Sequence, residues 1–199
     1  MKIFKENSYD IVRLYVNQLG IMIFSMLLYT AVGSFENAAL SNALSVFVSV
    51  FSTCFYLVLV YYAVWEIGAK DKIRIDGGRL ERCNSKGLVM CLFANVPNFL
   101  LGILTVILLS LFLLTGNDGI YAAFLIFNTV MRFHASMFLG FITAIVPAGL
   151  SAGAIDYVEF LIEAILFTVF PIVSVAVTHL AYQLGLREKK LFSLLLRKK

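Results

Sequence analysis

Charge is missing from long stretches of this 199-residue chain. Residues 14–35, 43–64 and 87–117 contain no Asp, Glu, Lys or Arg. Charged residues make up 14% of the whole, where a soluble domain carries about 25%. A chain so poor in charge and 61% hydrophobic has too little polar surface to face water everywhere, so lipid is the expected solvent for much of it. Cysteine is scarce as well. Cys54 and Cys91 lie in apolar runs and Cys83 in a basic loop, an odd and scattered set that argues against a disulfide framework. There is no CxxC and no Cys/His cluster, which argues against structural zinc. GxSxG, HExxH and Walker patterns are absent, as are the paired-glutamate and histidine pattern of intramembrane prenyl-processing-type proteases and the downstream aspartates of alcohol phosphotransferases. The expectation is therefore no enzyme activity, no metal and no cofactor.

The charge that is present is segregated. Lys2, Lys5 and Arg13 open the chain. Lys70, Lys72, Arg74, Arg79, Arg82 and Lys86 share the 66–86 loop, and Arg187, Lys189, Lys190, Arg197, Lys198 and Lys199 share the tail from 187 to 199. Only Arg132 stands apart. Basic clusters that flank apolar spans mark the cytoplasmic side, so the net charge of +4 reads as topogenic and predicts no nucleic-acid partner. The basic head followed by 14–35 is longer than a signal-peptide core and reads as an uncleaved first transmembrane helix.

A crossing helix needs about 20 apolar residues. The pattern predicts an all-α transmembrane bundle, one domain over 1–199, with helices near 14–35, 43–64, 88–112, 119–133, 135–155 and 160–186. Pro97 is expected to bend the third. Six crossings with a tight inner turn at Arg132–Ser136 put both termini and every Lys and Arg on the cytoplasmic side, leaving Glu36, Asp118 and Asp156 outside. The alternative is four full crossings plus a re-entrant hairpin over 119–155. The partner common to both is the lipid bilayer, and the location is the cell membrane with several passes.

Three groups of residues are candidates for function. Asp156, Glu159 and Glu163 share one helical face at spacings of three and four. The first two suit a helix N-terminus, whereas Glu163 is deep enough to need the bundle interior or a wet cleft. With Arg132, His134 and Asn128 they form a candidate ion site or pathway, and in the re-entrant reading Arg132 and His134 lie deep enough to meet the acidic face. Ser136, Gly140, Ala144, Ala148 and Ala152 recur every four residues, a face that lets helices approach closely in lipid, either internally or against a partner or second copy. Pro147 interrupts that helix. Arg74, Arg79 and Arg82 beside Asp76-Gly77-Gly78 are candidate lipid-headgroup contacts, and Ile73 and Ile75 alternating with Arg74 and Asp76 allow a small hairpin there. Asn95 and Asn98, flanking Val96-Pro97, either resupply hydrogen bonds to freed backbone or line a polar path.

Trp65-Glu66-Ile67-Gly68-Ala69-Lys70-Asp71-Lys72, Asn95-Val96-Pro97-Asn98 and Leu184-Gly185-Leu186 resemble features of small uncharacterised polytopic integral membrane proteins of Gram-positive bacteria. That resemblance implies a helical membrane fold and no activity. The functional expectations are a small-solute or cation transporter or transport subunit, or a non-enzymatic scaffold packing through the small-residue face.

Overall fold

The computed structural model of the chain describes residues 7–146 and 157–189, and among them it is all helix and connection, with no strand. In chain order the helices are α1 (Ser8–Val32), α2 (Ala38–Asp76), α3 (Lys86–Ala94), α4 (Val96–Thr115), α5 (Asp118–His134), α6 (Leu139–Ile145), α7 (Tyr157–Val169) and α8 (Pro171–Leu186). A single 3₁₀ turn, Ser136–Phe138, precedes α6. Four stretches are long and apolar enough to cross a membrane: α1, α2, α4, and α7 with α8. A fifth arises if α5 and the segment Ser136–Ile145, bent by 76°, count as one span. The chain is thus all-α and compatible with a multi-pass integral membrane protein. Large apolar side chains such as Leu27, Phe47, Ile107 and Ile126 lie outward on these helices, as a lipid-facing surface requires.

Several boundaries differ from the sequence expectation, each for a local reason. The segment 66–76 is not a loop with a hairpin tip. It continues α2, supported by i,i+4 ion pairs Glu66–Lys70 at 2.8 Å and Lys72–Asp76 at 3.8 Å. The glycines that suggest a hairpin are the helix stop. Gly78 has φ +65°, Arg79 N–H donates to the Arg74 carbonyl at 2.8 Å, and Gly78 N–H donates to the Ile75 carbonyl at 2.9 Å. That pair of bonds is the Schellman arrangement, which needs a left-handed residue at this position. The third span is broken at Asn95, and Pro97 falls in the first turn of α4, where its missing N–H costs nothing. Pro171 likewise opens α8 and separates it from α7.

The chain divides into two compact units, one from 1–17, 56–95 and 172–199, the other from 18–55 and 96–171. In the first, α2 and α8 run in the same direction. Tyr56 hydrogen-bonds Ser174, and further along Lys72 pairs with Glu188 at 3.2 Å. Between these points Gly68 and Gly185 let the backbones meet, since a Cβ on Gly68 would sit 2.6 Å from the Tyr182 carbonyl oxygen. The third helix of this unit, α3, runs the opposite way. Its Gly87 packs on Tyr182 and its Cys91 on Ser174.

In the second unit α5 and α7 run parallel, and α4 antiparallel to both. Phe112 of α4 meets Tyr121 at 4.7 Å and Tyr157 at 5.5 Å, and Phe124 meets Phe160 edge-on at 5.5 Å. Gly102 of α4 lies directly against Thr168, a contact only a residue without a side chain allows.

Candidate functional site

The second unit holds the candidate site. Asn117 caps α5 by accepting from the Gly119 N–H at 2.8 Å. From that start the residues Phe124, Asn128, Met131 and His134 fall on the buried face, one per turn as helical periodicity dictates. On α7 the buried face is Glu163, Ala164 and Phe167. The aromatic pair Phe124–Phe160 forms one layer between the two helices. Two turns on, Arg132 Nη2 donates to Glu163 Oε2 at 2.6 Å. The Glu163 side chain is 7% exposed and that of Arg132 45%. Asn128, one turn before Arg132, is buried, and its Oδ1 has no hydrogen-bond partner among the described residues.

A carboxylate this enclosed is stabilised by a hydrogen-bonded cation. Arg132 fills that role with a short charge-assisted bond. The Arg132 side chain is half exposed at the surface of the unit, whereas Glu163 is enclosed. Asn128, one turn from Arg132 on α5, adds an amide oxygen that can accept a further hydrogen bond.

Other candidates fall as follows. Glu159 is half-buried in the first turn of α7, and Asp156 lies outside the described residues. His134 is buried at the end of α5. Immediately after it the chain turns. Ser136 Oγ donates to the Met22 carbonyl at 2.9 Å, the Met137 carbonyl accepts from Thr53 Oγ1 at 3.2 Å, and Gly140 N–H donates to Tyr29 Oη at 2.6 Å and Ser49 Oγ at 2.8 Å. Tyr29 and Ser49 also bond each other. Gly140 abuts the Ser45 carbonyl so closely that no Cβ fits. The front of the small-residue face is therefore engaged inside the unit, Ala144 is exposed, and Ala148, Ala152 and Pro147 lie outside the described residues. The bend frees backbone groups inside a span, and these serine, threonine and tyrosine hydroxyls resupply them. Gln18 and Ser52 are buried too, and neither side chain finds a hydrogen-bond partner among the described residues.

In the first unit the headgroup candidates Arg74, Arg79 and Arg82 are exposed. Arg74 lies 3.9 Å from Asp71 and Arg82 Nε donates to Asn84 Oδ1 at 3.0 Å. The glycine backbone beside them closes the end of α2. Sequence reasoning counted Lys86 among these loop charges. It is instead buried at the first position of α3, with Nζ 2.6 Å from Asp71 Oδ2. The hydroxyl of the fully buried Tyr182 donates to the same carboxylate oxygen at 2.9 Å. One signal was available: Val60, Val64, Ile67 and Asp71 recur at spacings of four, three and four, the pattern of a single buried face, and all four are buried.

No family model, no curated protein and no solved structure matches this chain.

Proposed function

We propose that this is a multi-pass protein of the cell membrane that moves protons or small cations, alone or as a transport subunit. The observation that carries the reading is the Arg132–Glu163 pair within apolar segments: a buried carboxylate, a half-exposed guanidinium and, one turn away, an Asn128 oxygen with no partner among the described residues. Ionisable groups at such depth are costly and characteristically sit on ion or substrate pathways. For topology we favour four crossings plus a re-entrant α5–α6 segment, with both chain ends on the cytoplasmic side. The bend bonds to Met22 and Thr53, residues near the middles of the apolar parts of α1 and α2, and an inner turn would instead be expected near helix ends. The basic clusters argue for the cytoplasmic ends. The scaffold reading draws less support, because Ser136 and Gly140 are engaged internally.

The test is flux in reconstituted vesicles. Wild-type protein should dissipate an imposed proton or sodium gradient faster than empty vesicles, and Glu163→Gln should abolish the difference. Wild-type vesicles no leakier than empty ones, or a Glu163→Gln variant of equal flux, would overturn it.

A further inference from the structure

The first unit contains a polar seam that transport through Arg132 and Glu163 does not use. It begins at Asp71, Lys86 and Tyr182 and continues along one face of α8. Tyr182, Thr178 and Ser174 recur every fourth residue and all are buried. Against them lie Cys91 and Asn95, also buried. Cys91 Sγ is 3.7 Å from Ser174 Oγ, and Asn95 Nδ2 donates to the Cys91 carbonyl at 3.0 Å, to Cys91 Sγ at 3.3 Å and to Ser174 Oγ at 3.3 Å. Tyr56 closes the far end on Ser174. From Ser174 to Tyr182 the seam spans about 12 Å at 1.5 Å per residue.

Apolar side chains would fill this volume with no polar groups to satisfy. A buried ion pair is no more stabilising than an apolar plug of like size, so stability alone does not call for Asp71 and Lys86. Lys86 is also poorly sited as a mere helix residue, since a cation at a helix N-terminus opposes the macrodipole. It is held by Asp71, with Tyr182 as a second tether and Arg74 at 3.9 Å as the outer neighbour. The backbones nearby are fixed by the Gly68–Gly185 contact. The separable element is the side-chain bridge between α2, α3 and α8.

We propose that Asp71, Lys86 and Tyr182 form the closed latch of an access path for water and small cations, with the seam of Thr178, Ser174, Cys91 and Asn95 as its wall. When the bridge parts, the charged end hydrates and solvent reaches Cys91. The proposal rests on the cytoplasmic placement of the basic clusters proposed above but not on flux, because it concerns access and not net transport.

Cys91 is a built-in reporter. In a Cys54→Ser/Cys83→Ser background, inside-out vesicles are treated with 2-(trimethylammonium)ethyl methanethiosulfonate and Cys91 labelling is followed by mass. The latched protein should label slowly. Asp71→Asn should raise the rate about tenfold or more, the effect of a modest shift toward the open population. The double variant Asp71→Leu/Lys86→Met, which replaces the bridge by an apolar plug, should return it to the slow rate. Tyr182→Phe, which keeps both charges, should raise it several-fold and decides the matter if Asp71→Asn does not fold. Folded single variants that protect Cys91 as well as the parent does, or a double variant that labels as fast as Asp71→Asn, would overturn the latch.

Discussion

Two ion pairs of equal length, 2.6 Å, differ in what surrounds them. In the first unit both partners are closed in, with side-chain exposures of 9% for Lys86 and 2% for Asp71, and a tyrosine hydroxyl completes the carboxylate. In the second unit only Glu163 is closed in, while Arg132 stays 45% exposed and the Asn128 oxygen one turn away has no partner among the described residues. The distance alone would rank them alike. Burial separates them: one pair is enclosed on both partners, while the other leaves its cation half exposed.

That contrast predicts a graded response to loss of the cation. Lys86→Met should have the largest effect, lowering stability in detergent by about 3–5 kcal/mol, because it leaves the buried Asp71 with, among the described residues, only the exposed Arg74 at 3.9 Å as a cation. Adding Asp71→Leu should recover most of the loss in a thermal melt. If the single and double variants melt together, the pair is not the enclosed element described. Arg132→Gln should cost less, about 1–3 kcal/mol, since the Arg132 side chain is already half exposed and its loss takes away less burial. A loss equal to that of Lys86→Met would erase the distinction between the pairs. Lys70→Ala, which removes the exposed bridge to Glu66, should change the melt by about 0.5 kcal/mol or less and serves as the lower reference.

How far the sequence revealed these features depended on whether the cause was local. The apolar runs, the basic clusters and the deep position of Glu163 follow from composition and helical spacing, and the structure forms helices over most of the apolar runs. Asp76-Gly77-Gly78 was ambiguous, since a left-handed glycine serves a hairpin and a helix stop alike. The ionic spacing Glu66–Lys70 and Lys72–Asp76 favoured the helix. The partner of Lys86 was half legible: Asp71 continues the buried face of Val60, Val64 and Ile67, but that α8 supplies Tyr182 depends on packing between segments about a hundred residues apart. The same holds for Gly140, whose close approach to Ser45 has no sequence signature beyond smallness. Arg132 meeting Glu163 was anticipated only for a re-entrant chain, because the encounter depends on where α5 stops.

That stopping point is the most exposed part of the account. With the three native cysteines replaced by serine, Phe133→Cys should resist membrane-impermeant maleimide from either face of sealed vesicles while labelling after solubilisation. Rapid labelling from the cytoplasmic face alone would make Arg132–Ser136 an inner loop and contradict a bend within the bilayer.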